Sequence, residues 1–203
     1  MPRERFYYFA VKPIESAIAI TDKSRTLPLF HYEALVLQQE VSPPISPTDA
    51  TPRRILEAGE RQFLKNTQFE SVAKTRLSEP SGRSNCHGWI FAGGKFAIAN
   101  EQVPLILQDN EYTAVQSPQD GDIAIVHKDR EIIHSGLARR DQRGELFMES
   151  KWGPLGVFLH APTAHPFSGN IAFYRSPRTG HLLTIAAANA RIDSDYQPAG
   201  IAN

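Results

Sequence analysis

The sequence predicts an α+β fold, and three observations support this class. Strand-like runs lie near both ends of the chain, whereas short apolar segments with helical spacing lie between them. The 15 prolines and 13 glycines indicate many turns and short elements rather than a long helical bundle. With 203 residues, the chain has the length of one domain, or of one compact domain with an extension.

The first part of the chain, residues 1–75, is predicted to be an extension of strands and one helix. Residues 5–37 are rich in aromatic and β-branched side chains, which predicts strands. Residues 41–48 form a proline-dense loop that neither a helix nor a central strand tolerates. Thr51-Pro52 then supplies an N-cap and a proline at the first helical position, so we expect a helix over residues 52–66.

The second part, residues 76–203, is predicted to contain the core. Short helices are expected over residues 86–92 and 103–108. Three strand-like runs separated by turns follow and predict an antiparallel meander. These runs are Asp122–His127, Glu131–Ala138 and Glu145–Trp152. A last pair of runs, residues 169–174 and 181–185, predicts a further hairpin.

Composition and charge exclude several classes of function. The 22 basic residues balance the 22 acidic residues, so we expect neither nucleic acid nor an anionic membrane as the partner. No stretch approaches the roughly 18 apolar residues of a transmembrane helix. Charged residues interrupt the apolar ones in residues 1–20, which is untypical of a signal peptide. We therefore expect a cytoplasmic location for the chain as written, with secretion or injection as the alternatives.

The single cysteine is the starting point for a chemical prediction. It excludes an internal disulfide framework and a cysteine-based zinc site. Cys86 opens a predicted helix, where unpaired N–H groups favour the thiolate that a nucleophile requires. His134 lies on a predicted strand downstream and is expected to form an ion pair with the thiolate and to protonate the leaving group.

A third polar residue is expected to orient His134 from the neighbouring strand. The turn over residues 141–144 pairs the two strands antiparallel, which brings Glu149 close to His134. A register slip of one residue presents Ser150 instead. We predict Glu149 as the third member and keep Ser150 as the alternative.

Other side chains have a functional and a structural interpretation. The Asn85 amide is expected to stabilise an oxyanion beside the Cys86 backbone N–H, although Asn before a helix is ordinarily a cap. His87 and Trp152 are expected to contact substrate at the cleft, and the alternatives are a surface position for His87 and core packing for Trp152.

We predict no metal site. The candidate ligands are histidines on different segments, and the proline between the last two prevents the helical geometry of a zinc pair. They are His127, His134, His160 and His165.

Four segments, in the same order, resemble the NlpC/P60 and CHAP superfamily of papain-like cysteine hydrolases. The run Asn85-Cys86-His87-Gly88-Trp89 resembles the nucleophile motif, in which an acid or Gln usually precedes the cysteine. Residues 121–125 resemble the Gly-Asp strand, His134-Ser135-Gly136-Leu137 resembles the histidine strand, and residues 147–153 resemble the strand that carries the third residue. The resemblance covers about residues 80–175.

The resemblance implies a papain-like core in which a nucleophile helix packs on an antiparallel sheet. It also implies hydrolysis of an amide bond through a thioester by Cys86, His134 and Glu149, without a cofactor. Peptidoglycan stem peptides or cross-bridges are the expected substrates. Transfer of an acyl group to an amine, and a non-catalytic binding or structural role on the same fold, remain as alternatives. The sequence does not indicate an oligomeric state.

Overall fold

The computed structural model describes residues 9–34, 52–67, 69 and 74–188. The helices in these ranges are α1 (Pro52–Asn66), α2 (Cys86–Phe91) and α3 (Val103–Asp109), with a 3₁₀ turn (Asn100–Gln102) before α3. The strands are β1 (Phe9–Ile20), β2 (Thr26–Ala34), β3 (Lys74–Arg76), β4 (Thr113–Val115), β5 (Ile123–Lys128), β6 (Glu131–Arg140), β7 (Leu146–Lys151), β8 (Val157–His160), β9 (Asn170–Arg175) and β10 (Thr184–Ala187). The predicted α+β class and the helix over residues 52–66 are confirmed. The proline-dense loop and Thr51 lie outside the described residues.

The strands form two antiparallel sheets. The smaller sheet has the order β10-β1-β2, and the larger sheet has the order β3-β8-β7-β6-β5-β9-β4. The predicted meander is confirmed, because β6 pairs antiparallel with β5 and with β7.

The predicted hairpin of the last two strands is wrong. Strand β9 lies between β5 and β4 in the larger sheet, whereas β10 pairs with β1 in the smaller one. The chain between them crosses the end of α2, where the Leu183 N–H donates to the Phe91 carbonyl oxygen at 2.9 Å. Leu183 is buried in the same apolar cluster as Phe91, so burial of this side chain directs β10 away from β9.

Strand β5 is buried on both faces, which places it at the centre of the fold. Alternate side chains of β5 enter two different apolar clusters, as the period of a strand requires. One face packs against α2 and α3, and the other packs against side chains of β7, of β9 and of the segment that precedes β9. The principal residues are Ile90, Phe91, Ile106, Ile123 and Ile125 on the first face, and Ala124, Val126, Met148, Phe167 and Ile171 on the second.

Helix α1 packs on the far end of the larger sheet. Its Phe63 and Leu64 contact a cluster centred on Trp152. The buried Glu60 of the same helix accepts the Gly156 N–H at 2.7 Å and pairs with Arg76. Together with the β1–β10 pairing, these contacts join the predicted extension, residues 1–75, to the rest of the chain. Among the described helices, none has the length and apolar character needed to cross a membrane.

Candidate active site

Helix α2 begins at Cys86 because Asn85 caps it. The backbone of Asn85 is extended, and its Oδ1 accepts the N–H groups of Gly88 at 2.8 Å and of Ile98 at 3.2 Å. Its Nδ2 donates to the Ile98 carbonyl oxygen at 2.6 Å. The amide that was expected to stabilise an oxyanion therefore binds backbone groups, and these bonds fix the start of α2 to Ile98.

The Cys86 thiol is buried, yet its environment favours the thiolate. The residue is 6% exposed. Burial raises the pKa of the thiol, but the charges of His87 and His134 and their interactions with the sulfur lower it, and the resulting pKa lies well below its ordinary value. A cysteine in apolar surroundings ordinarily has a raised pKa and is inert. At Cys86 the two imidazoles oppose this effect of burial.

His134 lies on β6 opposite Val126 of β5 and is fully buried. Its ring stacks on Phe167 with 4.0 Å between the ring centroids. The imidazole is close enough to Cys86 to lower the pKa of the thiol. Within the part of the chain that the structure describes, neither ring nitrogen of His134 has a hydrogen-bond partner of good geometry. His134, the base that the sequence predicts, thus lies beside Cys86, the predicted nucleophile.

His87 is the second imidazole of the site. It is fully buried, with Nδ1 2.8 Å from the Ser135 Oγ and Nε2 3.1 Å from the Asn100 Oδ1. Burial lowers the pKa of His87, but the Cys86 thiolate and Asn100 raise it, and the net direction is upward. Because the ring is enclosed, His87 does not line an open cleft as the sequence suggested.

Glu149 does not lie beside His134, which corrects the predicted triad. In the β6–β7 ladder Glu149 is opposite Leu137, and Leu137 and His134 are three residues apart on one strand. Side chains alternate along a strand, so Glu149 and His134 project from opposite faces. The Glu149 carboxylate instead pairs with Arg139, with 2.5 Å between Oε2 and Nε.

Ser150, the alternative third member, shares the face of His134 but has other partners. Its Oγ is 2.9 Å from the His160 Nε2, and it accepts the Trp152 Nε1–H at 3.1 Å. Trp152 is 1% exposed and packs against Phe158, with ring centroids 4.5 Å apart. Trp152 is therefore a core residue in this structure, and its ring does not form an accessible wall for substrate.

Two further buried histidines, His160 and His165, have lowered pKa values. Burial lowers the pKa of His160 and of His165 to about 4 each. His165 lies near His134, with ring centroids 6.0 Å apart. Among the residues that the structure describes, no three His, Cys, Asp or Glu side chains are arranged to hold a metal ion. His127 is a half-buried residue of β5.

Lys151 is a further charged group that was not among the predicted site residues. It is 3% exposed, and its Nζ donates to the Leu155 carbonyl oxygen at 2.5 Å. Burial lowers the pKa of Lys151 to about 8, and a Cys86 thiolate opposes this shift. The ammonium and the thiolate therefore stabilise one another.

Strand alternation places Ser135 and Lys151 on the face opposite His134. On that face Ser135 lies between Ile133 and Leu137, which is a signal of a buried polar side chain, whereas Lys151 follows Glu149 and has no such signal. The partnership of His87 with Asn100 has no such signal, because the two residues are joined by an irregular segment.

The assembled groups are a thiolate-favouring cysteine, an imidazole with two available nitrogens and a second, hydrogen-bonded imidazole. This set is suited to nucleophilic attack on a carbonyl carbon followed by proton transfer. Comparison of the chain with models of known protein families, with curated proteins and with solved structures gave no match.

Proposed function

We propose that this chain is a thiol hydrolase that cleaves an amide bond, with Cys86 as the nucleophile and His134 as the general acid and base. The observation that carries this proposal is the Cys86 thiol itself, whose pKa is lowered despite burial while the neighbouring His134 has no other described partner. A structural cysteine in a core needs neither feature. The arrangement of α2 against β6 and β7 agrees with a papain-like core, in which the nucleophile helix packs on an antiparallel sheet.

The proposed reaction has two halves. The Cys86 thiolate attacks the amide carbonyl carbon, the C–N bond breaks, and protonated His134 gives its proton to the departing amine. Water then attacks the thioester and gives a proton to His134, and the C–S bond breaks to release the acid and the thiolate. The Cys86 backbone N–H, at the first position of α2, has no acceptor within the helix and is the donor that we assign to the oxyanion.

The substrate class follows from the resemblance of four sequence segments and not from the geometry of the site. We propose a peptide substrate of the peptidoglycan type, cleaved in a stem peptide or a cross-bridge. An acyl transferase uses the same first half-reaction and differs only in the acceptor, which is an amine in place of water.

A non-catalytic binding protein is the second candidate, and one observation favours it. Cys86 and His134 are both enclosed in this structure, with 6% and 0% exposure, so a substrate reaches them only if the surrounding chain opens. On this alternative the thiol is inert in the folded protein.

The test is the pH dependence of alkylation by iodoacetamide, because Cys86 is the one cysteine of the chain and labelling is therefore unambiguous. We expect labelling well below the ordinary thiol pKa of about 8.5, and an upward shift of the midpoint in His134→Ala. His31→Ala, at an exposed position, is the matched control. A thiol that is inert in the folded protein, or that titrates ordinarily in every variant, contradicts the hydrolase and favours the binding protein.

Turnover is measured separately on a digest of peptidoglycan fragments. New amino and carboxyl groups in equal amounts indicate hydrolysis, whereas acyl transfer to an added amine indicates a transferase. We expect the turnover that the unmodified protein shows, of either kind, to be lost in Cys86→Ala and His134→Ala and retained in His31→Ala.

A further inference from the structure

The two imidazoles beside Cys86 differ in their hydrogen bonding. Both nitrogens of His87 have oxygen partners, Ser135 Oγ at 2.8 Å and Asn100 Oδ1 at 3.1 Å. Apart from the interaction with the Cys86 sulfur, neither nitrogen of His134 has a hydrogen-bond partner among the described residues. Both rings are fully buried, so solvent does not compensate for this difference.

The partners of His87 are compatible with a cation. An amide Oδ1 only accepts, so the Nε2 of His87 carries a hydrogen in every protonation state. A serine hydroxyl both donates and accepts, so the Nδ1 is satisfied with or without its proton. Protonating His87 therefore breaks no hydrogen bond, and the imidazolium makes two charge-assisted bonds to neutral oxygens.

A buried cation also requires a nearby negative charge. The Cys86 thiolate, on the adjacent residue, is that charge, and it raises the pKa of His87. Among the described residues, the other titratable groups that act on the thiol or respond to its charge are His134 and Lys151, both positive or neutral. The nearby His160 and His165 are neutral above their pKa values of about 4.

We propose that His87 is the permanent cation that holds Cys86 as a thiolate, and that it keeps its proton through the whole cycle while His134 loses and regains one. This inference rests on the proposed hydrolase function. The His87 charge stabilises the thiolate before attack and again when the thiolate leaves the thioester. His87 acts on the thiolate by its charge and exchanges no proton with substrate, so it is a positioning residue.

The first experiment follows the thiolate directly, by its ultraviolet absorbance, as the pH is varied. This readout needs no reagent to reach the buried sulfur. We expect His87→Asn to lower the thiolate fraction at mildly acidic pH about tenfold, which corresponds to one pKa unit. We expect a smaller decrease in His134→Asn, and none in His31→Asn, the exposed control.

The second experiment observes the ring itself, by ¹⁵N NMR of the histidine imidazoles, with His87→Asn used to assign the signal. We expect His87 to be an imidazolium at neutral pH in the unmodified protein and to become neutral in Cys86→Ala. Because His87 is buried and its variant can fail to fold, Asn100 offers a milder change at an exposed position. Asn100→Ala is expected to lower the midpoint of the His87 titration and Asn100→Asp to raise it.

The outcomes separate this inference from the proposed function. A neutral His87 ring at a pH where the thiolate is present overturns the inference, and so does an unchanged thiolate titration in folded His87→Asn. In either case the hydrolase proposal still stands on His134. If no thiolate forms below the ordinary pKa in the unmodified protein, both proposals fail together.

Discussion

Glu149 and Arg139 form an ion pair across strands β6 and β7, with 2.5 Å between Oε2 and Nε. The guanidinium also lies 3.5 Å from Asp120, so it bridges two carboxylates. Both side chains of the pair are partly exposed, at 32% for Arg139 and 18% for Glu149. The carboxylate that the sequence assigned to the histidine is therefore neutralised by a neighbour on the other face of the sheet.

Glu149→Gln is expected to leave the Cys86 chemistry unchanged. The substitution removes a partly exposed ion pair, which contributes about 0–1 kcal/mol to the free energy of unfolding. It does not touch His134, so the pH midpoint of Cys86 alkylation should stay within experimental error of the unmodified protein. Denaturant unfolding measures the first quantity and iodoacetamide labelling the second. If the alkylation midpoint of Glu149→Gln rises as far as that of His134→Ala, Glu149 acts on the site after all.

The position of Glu149, away from His134, illustrates which features follow from local sequence and which do not. Local signals were sufficient for α1, where Pro52 and the apolar spacing lie within one segment, and for the β5–β6–β7 meander, where short turns force adjacent strands to pair. The face on which Glu149 lies depends on register, and a slip of one residue reverses it. No local feature of β7 determines that register.

Contacts between segments that are far apart in the sequence were also not predicted. The pairing of β10 with β1 joins segments separated by more than 150 residues, and it depends on the burial of Leu183 beside α2. The hydrogen bonds of His87 likewise join α2 to β6 and to the 3₁₀ turn. The proximity of Cys86 and His134 was expected from the sequence, whereas the action of His87 and Lys151 on the same thiol was not.

Asn85 is expected to be a structural cap, and its variants test this against the oxyanion role. Asn85→Ala removes an acceptor for two backbone N–H groups and a donor to one carbonyl, all in buried surroundings. We expect a loss of about 1–3 kcal/mol in the free energy of unfolding. Asn85→Asp keeps the acceptor of the Gly88 N–H and should recover part of that loss.

The kinetics of Asn85→Asp distinguish the structural role of Asn85 as a cap from a role in stabilising the oxyanion. If the Asn85 amide stabilises the oxyanion, this variant loses about 10²–10³ in kcat on a substrate that the unmodified protein hydrolyses, because a carboxylate has no N–H to donate. If Asn85 is only a cap, kcat of the folded variant stays close to that of the unmodified protein. Calorimetry establishes the folded fraction in both cases.

Gly88 is required by the close approach of residues 96–98 to α2. A Cβ at this position would lie 1.8 Å from the Phe96 carbonyl oxygen and 2.8 Å from its carbonyl carbon. Both are backbone atoms, so side-chain rotation cannot relieve the clash. Gly88→Ala is therefore expected to destabilise the fold by more than about 3 kcal/mol, beyond the usual range of overpacking.

Gly59, within α1, is the matched control, since a Cβ there meets nothing within 4 Å. Gly59→Ala is expected to stabilise the protein by about 0.5–1 kcal/mol, and thermal unfolding of the two variants should shift in opposite directions. A Gly88→Ala protein as stable as the unmodified one contradicts this packing.

His160 and His165 should make stability depend on pH below neutrality. Burial lowers the pKa of each ring to about 4 in the folded chain, whereas an unfolded histidine titrates near 6.5. As the pH falls from about 6.5 to about 4, the unfolded chain takes up protons that the folded chain does not, so the free energy of unfolding decreases over this window. Each ring contributes on the order of 3 kcal/mol to the decrease.

Urea unfolding at a series of pH values measures this decrease in the free energy of unfolding. The substitution His160→Gln should flatten the pH profile by about that amount, whereas His31→Gln, at an exposed position, should not. A profile that is level between pH values of about 4 and 6.5 contradicts the burial of these rings in solution.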